Sequence, residues 1–141
     1  MKGLTLSYQQ PFGNTGFGMY ANYTYSDGST KSGQDLPYNS ENAFNFSPYY
    51  EQGPFSARIT YGWRSHYLAG GYVAGAPPAS VDDYTELDAS ASWRFSENFA
   101  LNLNAMNLLD ETYLQYLGQK DMIAGKYKTG RRYMASLHFE F

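Results

Sequence analysis

Cysteine is absent from this chain of 141 residues, so a disulfide scaffold, a thiolate metal site and a cysteine nucleophile are all excluded. An excess of basic charge is lacking too. Ten basic against thirteen acidic side chains leave a formal charge of -3, which supplies no field for holding nucleic acid. Long apolar runs are also missing. The charge-free stretch from Tyr67 to Val81 is broken by Gly70, Gly71, Gly75, Pro77 and Pro78, and is shorter than the roughly 20 apolar residues a spanning helix needs. The first residues, Met1 to Leu6, have neither the apolar core nor the small-residue cleavage site of a secretory signal, so no targeting segment is expected in them. At this length a single unit is expected, since two domains would each be short of core.

What the chain does have is aromatic side chains. Fifteen Tyr, nine Phe and two Trp carry much of the apolar fraction of 43%, and the mean hydropathy stays at -0.55. These residues recur with a period of two. Leu4, Leu6 and Tyr8 alternate with polar neighbours, as do Phe17, Met19, Ala21, Tyr23 and Tyr25. Further lanes run through Phe44 to Tyr50, Phe55 to Trp63, Leu87 to Phe95, Phe99 to Ala105 and Tyr133 to Phe141. The pattern predicts seven antiparallel strands in an all-β fold.

Alternation alone also fits a water-soluble sandwich with one wet face, but the connections discriminate. Pro11 to Asn14, Glu51 to Pro54 and Ser96 to Asn98 are tight turns, whereas Asp27 to Glu41, Leu68 to Asp83 and Leu109 to Thr129 are several times longer. Short turns at one end and long loops at the other are the habit of an outer-membrane barrel. The charges agree. Arg58, Arg64, Glu86, Asp88, Arg94, Arg132 and Glu140 all fall on the polar lanes, where a watery lumen would solvate them. Tyr8, Tyr50, Phe55, Phe95, Phe99 and Phe141 lie at the tight-turn or chain-end rim, and Tyr25, Trp63 and Tyr133 toward the long loops, as two membrane girdles would. Counting back from Phe141 places the tight turns in the periplasm. Seven strands is an odd number, whereas bacterial barrels have an even count of at least eight, so further strands are expected ahead of the first.

Four segments carry a resemblance to a known family. They are Gly53-Pro54-Phe55-Ser56-Ala57-Arg58-Ile59-Thr60-Tyr61-Gly62-Trp63-Arg64, Leu87-Asp88-Ala89-Ser90-Ala91-Ser92-Trp93, Asn107-Leu108-Leu109-Asp110-Glu111-Thr112-Tyr113, and Gly130-Arg131-Arg132-Tyr133 running on to Phe141. In order and spacing they resemble the C-terminal barrel segment of TonB-dependent outer-membrane receptors, and more loosely the likeness extends back to Leu4. The wording of the GPFSAR and TGRRY segments is most similar to the Xanthomonas and Caulobacter types. The resemblance implies a plugged barrel of about 22 strands, energised through TonB for uptake of a scarce nutrient, and no enzyme activity. It casts residues 1–141 as a single C-terminal barrel segment, a partial barrel without the plug domain, the TonB-contacting box or the earlier strands. A free-standing structural or adhesive outer-membrane module is the alternative, and would need an eighth strand within Leu109 to Thr129 or a partner chain. A soluble β-domain enzyme or binder is disfavoured, because no convergent acid–base set is visible.

The partners that follow are outer-membrane lipid and lipopolysaccharide, the rest of the receptor barrel and its plug, and the barrel assembly machinery through Phe141. TonB is reached only through the missing N-terminal part, and no cofactor is implied. Tyr38, Tyr67, Tyr72, Tyr84, Tyr113 and Tyr116 sit in or beside the long connections, where ring faces can stack on a ligand. With the lumenal Arg64 they are the candidate ligand contacts, and loop packing is the competing role for each. Lys120, Lys126, Lys128, Arg131 and Arg132 form a basic group near the outer rim, suited to lipopolysaccharide phosphates or lumenal acids. His66 and His138 lack partners at metal spacing. Glu86 and Asp88 are expected to pair with Arg58, Arg64 or Arg94 on neighbouring strands. Asn107 to Asp110 reads as a strand terminator held by local side-chain hydrogen bonds rather than as a ligand contact.

Overall fold

In the computed structural model, residues 2–29, 33, 35–70, 75 and 77–140 are described. They contain no helix. The wall is a seven-stranded antiparallel sheet made by β1 (Lys2–Pro11), β2 (Phe17–Asp27), β3 (Asn42–Gln52), β4 (Phe55–Arg64), β7 (Tyr84–Ser96), β8 (Phe99–Met106) and β11 (Arg132–Phe139), and its strands are neighbours in that order. The sheet is a partial barrel that does not close: β1 and β11 each pair on one side only. All seven strands of the sequence pattern are wall strands.

Register explains how the lanes become faces. Met19 lies opposite Pro48, Phe46 opposite Tyr61, Ile59 opposite Ala89, Ala91 opposite Leu103 and Leu101 opposite Leu137. Each of these five strand pairings therefore joins apolar to apolar along this face. On the other face Asn22 meets Asn45, Thr60 meets Asp88, Ser90 meets Asn104 and Asn102 meets Ser136. A slip of one residue anywhere would mix the two faces, so the pattern itself specifies the pairing.

Among the described residues, no second layer seals the apolar face. Ile59, Leu103 and Leu137 are 50%, 46% and 51% exposed, and among the described residues the buried hydrophobic side chains are Val81 and Tyr116, both outside the wall. At the tight-turn rim the rings touch in two runs. Phe17 packs on Tyr50 with centroids 4.6 Å apart and Tyr50 on Phe55 at 6.0 Å, while Trp93, Phe95, Phe99 and Phe139 follow one another at 5.5, 5.8 and 6.0 Å. Phe17, Trp93 and Phe139 thus join the rim residues expected from the sequence. Phe141 lies outside the described residues.

Close approach at the rim depends on glycine. Gly16 has φ +78°, and a Cβ there would sit 2.9 Å from the carbonyl oxygen of Glu51, whose N–H donates to the Gly16 carbonyl at 2.7 Å. On the polar face Tyr49 folds its ring over Gly18, its register partner, and the Arg58 guanidinium lies 5.5 Å from the same ring. Arg58 also reaches Glu51 at 3.6 Å, so the expected pairing with Asp88 or Glu86 is not made. Asp88 is engaged elsewhere, accepting the main-chain N–H of Asn107 at 2.9 Å.

The long connections are more ordered than loops. β5 (Tyr67–Leu68), β6 (Ala79–Val81), β9 (Thr112–Leu117) and β10 (Gln119–Lys128) form a second antiparallel sheet in the order β10-β9-β6-β5. This sheet stands at the long-loop end. The Leu109 to Thr129 connection does contain strands, but β8 pairs directly with β11 while β9 pairs with β6, so no eighth wall strand is formed there.

Candidate functional site

The long-loop end gathers the polar and aromatic groups capable of meeting a ligand. Arg64 ends β4 and Tyr84 begins β7, and the two are register partners. The Arg64 guanidinium lies 4.7 Å from the Tyr67 ring centroid and 5.4 Å from that of Tyr84, a cation sandwiched by two π faces. Its Nη1 is buried and, among the described residues, has no hydrogen-bond partner.

Tyrosines extend outward from this cation. Tyr38 stands 6.4 Å from Tyr67, Tyr84 stands 6.5 Å from Tyr113, and Tyr113 stands 5.9 Å from Tyr127. The hydroxyls of Tyr67 and Tyr113 are 3.1 Å apart, joining a two-residue strand to the β9–β10 hairpin. That hydrogen bond, with burial and the neighbouring phenol adding to it, pushes the Tyr113 pKa up to about 12. At neutral pH Tyr113 is a firmly protonated donor or acceptor, not an acid.

Five of the seven sequence candidates, Tyr38, Arg64, Tyr67, Tyr84 and Tyr113, therefore come together in one cluster. Tyr116 does not join it. It is opposite Ser80 on the alternate face of the small sheet and is 8% exposed. Tyr72 lies outside the described residues. Tyr127, which sequence reasoning passed over, enters the cluster because it is the register partner of Tyr113, a relation visible only once residues 112–128 are recognised as a hairpin.

Ion pairs fix the hairpin in place. Lys120 Nζ meets Asp82 Oδ1 at 2.7 Å and Asp83 Oδ1 at 3.7 Å, and Lys128 Nζ meets Asp110 Oδ2 at 2.8 Å. Two of the five basic residues expected to face lipopolysaccharide or lumenal acids are thus tied within the chain. Arg131 Nε donates to the Leu108 carbonyl at 2.8 Å. Asn107 is 1% exposed and has φ +54°; its Oδ1 accepts the Glu111 N–H at 2.9 Å, and its Nδ2 donates to Gly130 O at 3.2 Å and Thr129 Oγ1 at 3.3 Å. This is the strand-terminating role, in a more connected form than local turn bonds.

Below the cluster, the polar face of the wall carries a groove of about 450 Å³ bounded by Glu51, Arg58, Ser90, Asn102, Asn104 and Ser136. Hydroxyls and amides dominate it, which suits wet contact with another protein surface or with solvent. Among the described residues no group of three His, Asp or Glu side chains is placed to hold a metal ion.

Comparison with known proteins adds the lineage. The sequence profile described as TonB dependent receptor-like, beta-barrel matches residues 1–108. A search of curated proteins returns no match. Among solved structures, the ferric enterobactin receptor PfeA of Pseudomonas aeruginosa superimposes with a TM-score of 0.74 at 22% identity, over 99% of this chain and 22% of that one. The ferric-catecholate import receptor Fiu of E. coli gives 0.64 at 21% identity, over 89% of this chain and 19% of that one. The chain thus spans about a fifth of the length of these receptors. With a profile match across most of its length and a wall of the same architecture, the chain belongs to the family of TonB-dependent receptor β-barrels.

Proposed function

We propose that this chain forms part of the wall and the outer loops of a TonB-dependent receptor in the outer membrane of a Gram-negative bacterium, working in active uptake of an iron siderophore or a carbohydrate. The observation that carries the reading is the uncovered apolar face. Seven strands hold it in register, no charged residue interrupts it, and its central side chains stay half exposed. In water such a face would associate indiscriminately. In a bilayer, hydrocarbon solvates it, and the polar lanes turn to a lumen. The rings along the tight-turn rim, and Tyr25, Trp63 and Tyr133 toward the loops, then take interfacial positions.

The open edges of β1 and β11 require partners, because an unpaired backbone group in lipid costs several kcal/mol. Further wall strands of the receptor would supply them, with a plug against the groove of the polar face and TonB engaged outside residues 1–141. Phe141 would be the handle for barrel assembly, Lys126 and Arg131 would meet lipopolysaccharide phosphates or lumenal acids, and Arg132, on the polar lane, would face the lumen.

The test uses spin labels in native outer membranes. Labels at Ile59, Leu103 and Leu137 should collide with dissolved oxygen and be shielded from a water-soluble nickel chelate. Labels at Thr60, Asn104 and Ser136 should show the reverse. Nickel access on both faces would remove the membrane reading. Uptake of ferric siderophores and oligosaccharides by cells with and without the protein then separates the two cargo classes.

A further inference from the structure

The small outer sheet continues the wall. Its strands stand in the order β5, β6, β9, β10, which is the order of β4, β7, β8 and β11 beneath them, and each joins its wall strand through a short link: residues 65–66, 82–83, 107–111 and 129–131. All four strands break and resume together. The links are tied sideways, with the Asp82 N–H donating to the Leu114 carbonyl at 2.9 Å and Asn107 Nδ2 to the Gly130 carbonyl at 3.2 Å. β10 therefore sits outward of β11, and the side of β10 that faces away from β9 lies above the open edge of β11.

A free edge strand is blunted by charge, by proline or by bulges. β10 has no proline, its Lys120 and Lys128 are taken by Asp82, Asp83 and Asp110, and it leaves Met122 and Ile123 52% and 58% exposed. Its irregularities lie in the outer half, where the register shifts between Gln119 and Gly125. From Gly125 to Lys128 the pairing with β9 is regular, residue against residue from Gln115 to Thr112. Along that run no strand stands on the other side among the described residues. The chain thus presents two open edges in line, one within the wall and one beyond it.

We infer that the wall strand completing β11 runs on outward as the neighbour of β10, so that one ascending strand of the receptor closes both edges. The inference rests on the receptor reading, which already requires a strand beside β11, and the continuity of the two edges carries it. The occupant is an extended segment of the same receptor from outside residues 1–141, antiparallel to both strands and long enough to run beside Gly125 to Phe139. It has an apolar side chain against Ile123 and a break in its ladder level with residues 129–131. Strand addition of this kind draws affinity from main-chain hydrogen bonds and selectivity from alternate side chains. The β9–β10 hairpin, which carries Tyr113 and Tyr127, then belongs to a closed collar around the ligand cluster and is not a free flap.

The test places the photo-cross-linking residue p-benzoylphenylalanine at Ile123, Lys126 or Met134, one position at a time, in the receptor in native outer membranes, and identifies the products by mass spectrometry. All three should capture one segment outside residues 1–141 of the same chain. The residue captured from Lys126 should follow that captured from Met134 in sequence, by about the spacing between the two probes. Amide hydrogen exchange from Gly125 to Lys128 should be as slow as in β9, whereas an uncovered edge would exchange its outward amides faster by on the order of a hundredfold. Capture from Met134 alone, with lipopolysaccharide or nothing on Ile123 and Lys126, overturns the inference and leaves the receptor reading intact. Capture of residues 1–141 of a second copy from β10 overturns it in favour of association between receptors. Capture from none of the three overturns it as well, and the spin-label accessibility above decides separately whether the receptor reading stands.

Discussion

Asp88 Oδ1 accepts the main-chain N–H of Asn107 at 2.9 Å, so the carboxylate of one wall strand ends its neighbour. The junction is cooperative: Leu108 N–H donates to the Leu87 carbonyl at 2.8 Å, and the Asn107 side chain gathers Glu111, Thr129 and Gly130. A non-glycine residue at φ +54° is held there by what its amide binds.

Asn107→Ala should therefore cost on the order of 2 to 4 kcal/mol, combining lost buried hydrogen bonds with a strained backbone. Asn107→Gly keeps the hydrogen-bond loss but relieves the strain, and should cost less. Urea unfolding of the protein reconstituted in lipid vesicles measures both. Equal losses would mean that the positive φ carries no strain.

The wall and its two faces were legible in the sequence because period-two alternation is a direct trace of a sheet with chemically different sides. Ile59 and Thr60 announce their faces without any structure. The small outer sheet was not legible. β5 and β6 are too short to show a period, and β10 mixes Met122, Ile123 and Tyr127 with Lys120, Lys126 and Lys128 in no fixed alternation. Its register also shifts between Gln119 and Gly125. The pairing of Tyr113 with Tyr127 and the burial of Tyr116 depend on that sheet, so a count of loop tyrosines could not show which of them join the cluster. Asp88 was misassigned for a related reason. Its partner is a backbone N–H, which composition cannot reveal.

The Lys120–Asp82 clasp predicts a pH window for the β10 hairpin. Burial penalises the Asp82 carboxylate, yet the hydrogen bonds from Lys120 and the Asp83 N–H outweigh it and hold its pKa below the ordinary value, while Asp82 raises that of Lys120. The lowered acid stabilises the folded hairpin above the unfolded carboxylate pKa of about 3.9, and that contribution is lost as pH falls through the folded value. The raised base contributes below about 10.4 and loses its contribution as pH rises through its own. A spin label at Met122 should be immobile between these limits and gain mobility outside them. In Lys120→Met the window should disappear. A label equally immobile at every pH in both proteins would remove the clasp from the account.

The Tyr67–Tyr113 hydroxyl pair makes a spectroscopic prediction. Because the hydrogen bond between the Tyr113 and Tyr67 hydroxyls is the first cause of the raised Tyr113 pKa, Tyr67→Phe should return Tyr113 toward the ordinary phenol value near 10. Ultraviolet titration of phenolate should show one fewer late-titrating tyrosine than expected from deleting Tyr67 alone. An unshifted late step would place the cause in burial instead.

Adjacent residues on β7 offer the sharpest test of which face meets lipid. Ala89 pairs with Ile59 and Ala105 on the apolar face, and Ser90 pairs with Arg58 and Asn104 on the polar one. The two lie at the same depth and differ only in direction. Ala89→Arg should cost about 2 to 4 kcal/mol in vesicles, the range for a cation near the bilayer midplane, whereas Ser90→Arg should cost about 1 kcal/mol or less because water solvates it. The same pair in a soluble sandwich would also differ, so the comparison needs a second axis. Thinning the bilayer brings headgroups closer to residue 89, and the Ala89→Arg penalty should shrink while that of Ser90→Arg stays fixed. A protein core would not respond to lipid thickness. A penalty independent of chain length would therefore seat Ala89 against protein rather than hydrocarbon.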